Sequence, residues 1–384
     1  MTGKKILVRD DPIAGFAGVV QAGALLFTSG CDGHRDPQTG AIDPSLAGQG
    51  TRQTSNSYGH IALLLDRAGV TPAAVARIDH FTSSQDWIAE RQVKRAEYFG
   101  KPSPHGSTGV AARMASVNML TTAVVAAAPE SEHEVVVTGA DYGIAHISSL
   151  VHAGPLLFLS GIRGTLDPRT GAAIEEETVN SFAVQTRVCY EVIAAILDQG
   201  NTSSEAIVRF DGYVRDRNRA YEEAAIGLGV LGRVDAVSTS IPLPMGMRGE
   251  VEVTALALAD AADKQVCARS PDGQPTVIRG GGFVFVGSCD GSVDGYTGDS
   301  VISLAGDISG QTDNALATLS QRLGAGGSDL ASVVRLECYL RDIYARETFL
   351  ERAAVVFGED PPAVIVAGSD LGGIDEVRLN AIAV

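Results

Sequence analysis

One stretch of this sequence is written three times, and no other feature constrains the fold as much. The string Arg77-Ile78-Asp79-His80-Phe81 returns as Arg209-Phe210-Asp211-Gly212-Tyr213 and as Arg335-Leu336-Glu337-Cys338-Tyr339, 132 and then 126 residues on. The pair Gln53-Thr54 recurs at Gln185-Thr186 and Gln311-Thr312 with the same spacings. A turn string follows the same order, as Asp36-Pro37-Gln38-Thr39-Gly40, Asp167-Pro168-Arg169-Thr170-Gly171 and the looser Asp294-Gly295-Tyr296-Thr297-Gly298. The period exceeds the roughly 20 to 50 residues of a stacking unit, so each copy is expected to be a complete domain. The expected domains are 1–131, 132–260 and 261–384.

Period and punctuation give the coarse structure of a copy. In the first, the apolar hairpin around Ala24–Gly30 and the Asp-Pro turn precede a helix from about Gln53 to Ala68. A strand over Arg77–Ser83, a helix over Asp86–Phe99 and two closing strands up to Ala128 complete the order β-β-α-β-α-β-β. The order predicts an α+β unit with both helices on one face of the sheet. With 45% hydrophobic and 20% charged residues, each third can fill a core.

In the repeated strand, Arg77, Asp79 and Phe81 alternate with Ala76, Ile78 and His80, and alternate side chains face opposite ways. The sets Ala76/Ile78, Val208/Phe210 and Val334/Leu336 are expected under the helices. The other faces, each with an arginine, an acid and an aromatic, then meet around a pseudo-threefold axis. Arg77, Asp79, Arg209, Asp211, Arg335 and Glu337 are expected to join neighbouring domains in ion pairs, the alternative being a charged central channel.

Composition narrows the function classes. The net charge of −16 repels phosphate backbones and no basic patch offsets it, so nucleic acid is not an expected partner. No apolar run approaches the roughly 20 residues of a membrane span, and Met1-Thr2-Gly3-Lys4-Lys5 opens without an apolar signal core. No membrane association and a cytoplasmic location are expected. Five scattered cysteines show neither a CxxC pair nor metal-ligand spacing, so they are read as free thiols. No metal and no cofactor are expected.

Taken in order, a glycine-led hairpin ending in Ser-Gly, the Asp-Pro-x-Thr-Gly turn, the Gln-Thr helix start, the Lys/Arg-x-x-x-aromatic strand, a helix ending in Phe, a proline-led strand and a terminal strand such as Val251–Ala257 resemble the Rid (YjgF-like) superfamily of reactive-intermediate deaminases. The likeness spans nearly the whole chain, three times over. It implies three Rid-like, chorismate-mutase-like domains folded as an intramolecular pseudo-trimer, with sites between domains. It also implies cofactor-free hydrolysis of an enamine or imine to a ketone and ammonia through a bound water, on small acids whose carboxylate an arginine holds.

The departures are specific. The family's arginine falls at Gly106, Val237 and Val364, and an apolar or absent side chain cannot replace a bidentate fork. The family's water-holding glutamate falls at Thr121, Glu252 and Arg378, so only the second copy keeps a carboxylate. Glu252 is read as the water-handling group, or as a paired residue on a polar strand face. The pocket-lining turn reads Cys31-Asp32-Gly33-His34, Ile162-Arg163-Gly164 and Cys289-Asp290-Gly291 in the three copies, and Gly161, just before the second, is a candidate substrate contact. Cys31 and Cys289 are candidate nucleophiles or small buried hydrophobes. Asp32 and Asp290 are candidate ligand contacts or turn residues, and Arg163 is a candidate anion clamp or a solvated turn residue. His105, beside the lost arginine, is a candidate acid or base, or an exposed loop imidazole. Phe16 and Thr239 are candidate pocket residues contributed across an interface.

The sequence thus predicts a cofactor-free hydrolase or deaminase for a small nitrogen-containing metabolite at one specialised inter-domain cleft around the second copy. One alternative is a pseudo-trimer that binds a small molecule or a protein without chemistry. Another is ring opening of a cyclic amide. The expected assembly is a monomeric pseudo-trimer, or a dimer of such units.

Overall fold

A computed structural model describes residues 3–84, 86–100, 105–138, 147–165, 181–245 and 249–384. The first domain holds β1 (Lys4–Arg9), β2 (Ala17–Ala22), β3 (Leu25–Thr28), β4 (Cys31–Asp32), α1 (Gly50–Arg67), β5 (Val75–Thr82), α2 (Ile88–Phe99), β6 (Gly106–Ala111) and β7 (Leu120–Ala127). The second repeats this with β8 (His133–Thr138), β9 (Ser148–Ala153), β10 (Leu156–Leu159), β11 (Ile162–Arg163), α3 (Phe182–Gln199), β12 (Ile207–Val214), α4 (Ala220–Leu231), β13 (Val237–Pro242) and β14 (Val251–Leu258). The third has β15 (Gln265–Arg269), β16 (Pro275–Gly280), β17 (Phe283–Asp290), α5 (Ile308–Ala325), β18 (Val333–Leu340), α6 (Arg346–Phe357), β19 (Ala363–Gly368) and β20 (Val377–Ala383).

Every sheet runs in one order, β1-β2-β3-β7-β5-β6 in the first domain, and only the β5–β6 pair and its counterparts are parallel. The fold is α+β, as expected, with one added strand at the start of each domain. β1, with register shifts along its pairing to β2 and only Val8 of its residues buried, lacks the apolar alternation by which a strand is read. Among the described residues, no helix is long and apolar enough to cross a membrane.

The three sequence markers each do a structural job. Gln53 Nε2 donates to Leu46 O and Val117 O at 2.9 and 2.8 Å, while its Oε1 accepts from Met119 N at 2.7 Å. Gln311 repeats the pattern with Leu304 O, Ile374 O and Glu376 N. The glutamine thereby ties the helix start to the last strand, and the turn glycines Gly33 and Gly291 leave room for it, since a Cβ on either would lie 2.7 Å from the glutamine Cβ. Asp36 and Asp294 close their turns by accepting two backbone N–H groups each, with Gly40 and Gly298 at φ +69° and +76°. The corresponding Asp167–Gly171 string lies outside the described residues.

The repeated strands meet at the centre. Arg335 Nη2 reaches Asp79 of the first domain at 2.6 Å, and Arg209 of the second domain pairs with Glu337 of the third. The third junction differs: Arg77 pairs with its own Asp79 at 2.8 Å and donates to Thr254 Oγ1 of the second domain at 3.2 Å. Burial opposes ionisation of Asp79 and Glu337, yet the flanking guanidiniums hold both below the usual carboxylate range. Phe81, Tyr213 and Tyr339 pack together beside this ring.

One sequence expectation is corrected. Ile78, Phe210 and Leu336 do lie under the helices, but Ala76, Val208 and Val334 join a central apolar cluster between domains. A register shift at Val75/Arg77, repeated at Ile207/Arg209 and Val333/Arg335, turns them inward.

Candidate functional site

Three inter-domain clefts form where the turn of one domain meets the parallel strand of another. Gly161 N donates to Ser107 O at 3.0 Å and Ser107 N donates to Ser160 Oγ at 2.8 Å, joining the second domain to the first. Gly30 and Ser29 make the same two bonds to Val364, joining the first domain to the third. Between the third and second domains Ser288 and Asn380 bond Thr239 instead. In each cleft a turn residue lies opposite a last-strand residue, giving Asp32 with Thr121, Arg163 with Glu252, and Asp290 with Arg378. One backbone geometry thus presents three different chemistries.

The cleft between the first and second domains sets three arginines around one carboxylate. Its cavity of about 180 Å³ is lined by Arg91 and Arg95 of α2, Ser107 and Gly109 of β6, and Gly161, Arg163 and Glu252 of the second domain. Glu252 is 2% exposed. Its Oε2 accepts from Arg163 Nε at 2.7 Å and its Oε1 from Gly109 N at 3.2 Å, while Arg163 also donates to Gly109 O. Arg95 donates to Ser107 Oγ at 3.3 Å. Burial pulls both helix arginines down, Arg95 to about 10, which leaves Arg95 cationic near neutral pH. Two glycines make the room: a Cβ on Gly161 would sit 2.2 Å from Glu252 Oε1, and one on Gly109 would sit 3.1 Å from Arg91 Nη2.

The remaining sequence candidates fall elsewhere. Cys31 and Cys289 are fully buried in the helix-side cores of their domains, and burial pushes Cys31 well above the usual thiol range and Cys289 to about 11. Such thiols are core hydrophobes, not thiolate nucleophiles. Asp32 turns the other way, into the cleft between the first and third domains, where it accepts from Thr121 Oγ1 at 2.6 Å. Asp290 is ion-paired with Arg378. His105 is wholly buried, not exposed, and stacks edge-on against Phe99 at 5.5 Å, with burial holding it well below the usual imidazole range. Phe16 crosses an interface to pack in the third domain's core. Thr239 donates to Asn380 Oδ1 at 3.1 Å within the second–third interface.

Register also refines the place of the family's arginine. Arg77, Arg209 and Arg335 pair with Gly106, Val237 and Ala363, so Val364 stands one place further along its strand than Gly106 and Val237 do along theirs. None is an arginine. Arg91 and Arg95 were not read from the sequence as site residues. Their signal was available, since with Phe99 they form an i, i+4, i+8 row on the buried face of α2. The repeat spacing sets Arg91 against Glu223 and Phe349, in a row otherwise expected to be core.

No family model matches the chain, and no curated protein matches its sequence. Among solved structures, a chorismatase superposes with a TM-score of 0.54 at 15% identity, covering 81% of this chain and 93% of that one. This chain shares that fold. A Rid-family protein from Yersinia pestis matches at 22% identity and TM-score 0.29, covering 33% of this chain and 99% of its own. A YjgF/YER057c/UK114-family protein from Mycobacterium tuberculosis gives 24% and 0.27, over 33% and 100%.

Proposed function

We propose that the chain is a cofactor-free hydrolase or deaminase acting on a small anionic, nitrogen-containing molecule in the cleft between its first and second domains. One observation carries this reading: a buried carboxylate, Glu252, faces the guanidiniums of Arg91, Arg95 and Arg163 across a single small cavity. Arginines supply planar, bidentate recognition of a carboxylate, and here two come from one domain while the third comes from its neighbour. Among the described residues Glu252 is the one carboxylate lining the cavity, and so the group to orient water.

In the reaction, water bound to Glu252 adds to the carbon of a C=N bond, giving a carbinolamine. Its hydroxyl proton then passes to nitrogen, the C–N bond breaks, and a ketone and ammonia leave. Arg163 couples binding to chemistry, because a substrate anion competes with Glu252 for its guanidinium and so releases the carboxylate toward water. The test is ammonia release from a panel of imines and enamines with and without a carboxylate. We expect turnover only of the anionic members, falling by roughly 10² to 10⁴ in Glu252→Gln. Turnover that survives the substitution, or silence across the panel, sinks the reading.

A further inference from the structure

The groove between a domain's second helix and the opening hairpin of its neighbour is filled at one junction and is a cavity at another. Where the third domain meets the first, the β1–β2 loop carries Ile13 and Phe16 onto α6, and they join Leu350, Ala353 and Phe357 in one core. The approach is close, since a Cβ on Gly15 would lie 3.3 Å from Ala354 Cβ. With the repeat spacing of 126, Leu350, Ala353, Ala354 and Phe357 of α6 fall in α4 at Ala224, Gly227, Leu228 and Leu231. All four of these α4 residues line a cavity of about 480 Å³, flanked on its other side by the β15–β16 hairpin of the third domain.

Both walls make the room. On the helix, leucine, alanine and phenylalanine give way to the smaller Ala224, Gly227 and Leu231. On the hairpin, β16 begins at Pro275 as β2 begins at Ala17, so Gln274 stands where Phe16 does, in a shorter loop of 270–274 against 10–16. A hairpin flanks both grooves and the apolar side chains differ, so the space is side-chain-sized. At the inner end the rings of Tyr190 and Phe210 meet edge to face at 5.8 Å, and the Tyr190 hydroxyl is engaged in donating to Glu223. That end therefore offers aromatic carbon. The lining charges are Arg233 and Arg269 against Asp235 and Asp272, with Arg269 and Asp235 paired at 2.8 Å, a balance that favours neither sign of ion. Asp290 and Arg378, the facing pair of this junction's cleft, are not among the lining residues.

We propose that this groove binds a small uncharged aromatic molecule, its ring seated on Tyr190 and Phe210 and against Ala224, Gly227 and Leu231. The ligand takes the place that Phe16 takes beside α6, and covers part of the exposed Tyr221 and Leu228 at the mouth. The site is independent of the reaction proposed for the first–second cleft.

The probe is indole, titrated calorimetrically into the full chain beside indole-3-carboxylate and tryptamine, at about 10 °C and about 30 °C because apolar burial makes the heat temperature-dependent. Indole should bind about tenfold tighter than either charged relative. Gln274→Phe restores the side chain that fills the other groove, and should weaken indole about tenfold or more without lowering the thermal midpoint. Ala224→Leu, at an exposed helix position where the larger side chain does not threaten the fold, should weaken indole in the same direction. Indole affinity unchanged in both variants, tighter binding of indole-3-carboxylate or tryptamine than of indole, or no heat with about 5 mM indole at either temperature each overturn the proposal.

Discussion

Arg91 and Glu223 stand at the same place in successive domains, 132 residues apart on the buried faces of α2 and α4, with opposite charge. In the first–second cleft Arg91 joins Arg95 and Arg163 around Glu252. In the second domain Glu223 is 1% exposed and accepts hydrogen bonds from Tyr190 Oη and from Ser240 Oγ, the latter at 2.9 Å. Arg378, of the third domain, donates to Ser240 O at 2.6 Å, just as Arg163 donates to Gly109 O. The scaffold is held constant while the chemistry is inverted. A homotrimer cannot do this, because its three clefts are coded by one sequence, whereas a fused chain is free to specialise each.

The comparison breaks most sharply at Arg91 itself. Arg91→Glu would set a second buried carboxylate close to Glu252, whose ion pair with Arg163 is already made, and the loss should be about 3–5 kcal/mol, as when one partner of a buried charge cluster is removed. Urea denaturation measures it. If Arg91→Met costs as much, packing rather than the sign of the charge distinguishes the two clefts.

Much of this frame was legible in the sequence, because repetition reports what the fold requires. The Gln-Thr pair, the Asp turns and the Arg-x-Asp strand recur because each domain needs a brace, a turn and an interface. The working parts do not recur. Thr121, Glu252 and Arg378 could be matched because the strand register preserves their alignment with Phe81, Tyr213 and Tyr339. Arg91 and Arg95 were missed because helical residues facing a cleft follow the same 3.6-residue period as core residues, and pattern alone does not separate them. His105 was misjudged as open to solvent for the converse reason: a polar residue after proline reads as a loop, yet the β6 start and Phe99 enclose it.

A smaller effect tests whether the first–second cleft depends on its glycines. Gly161→Ala places a methyl 2.2 Å from Glu252 Oε1, so the carboxylate must leave its bonds to Arg163 and Gly109. The expected cost is about 1–3 kcal/mol in stability, the range for overpacking. Ammonia release, if the proposed chemistry holds, should fall further than stability does. A fully active Gly161→Ala variant would mean that Glu252 is not held in its working position by this contact.

The smallest effect lies at Glu223. Burial raises its pKa against the hydrogen bonds from Tyr190 and Ser240, so the folded chain holds this proton more tightly than the unfolded one. The stability it contributes is therefore fully present below the ordinary glutamate pKa of about 4.3 and is lost as pH rises through the raised folded value. Glu223→Gln keeps an acceptor for Tyr190 and cannot ionise. It should match the parent protein in mild acid and exceed it at neutral pH, a gap that opens across that window in urea titrations. The same experiment with Glu252→Gln sharpens the contrast, because Glu252 is anchored by a guanidinium 2.7 Å away and its loss should destabilise at neutral pH. Two buried glutamates in clefts of one design would then respond to the same substitution with opposite signs, because one is ion-paired and the other is not.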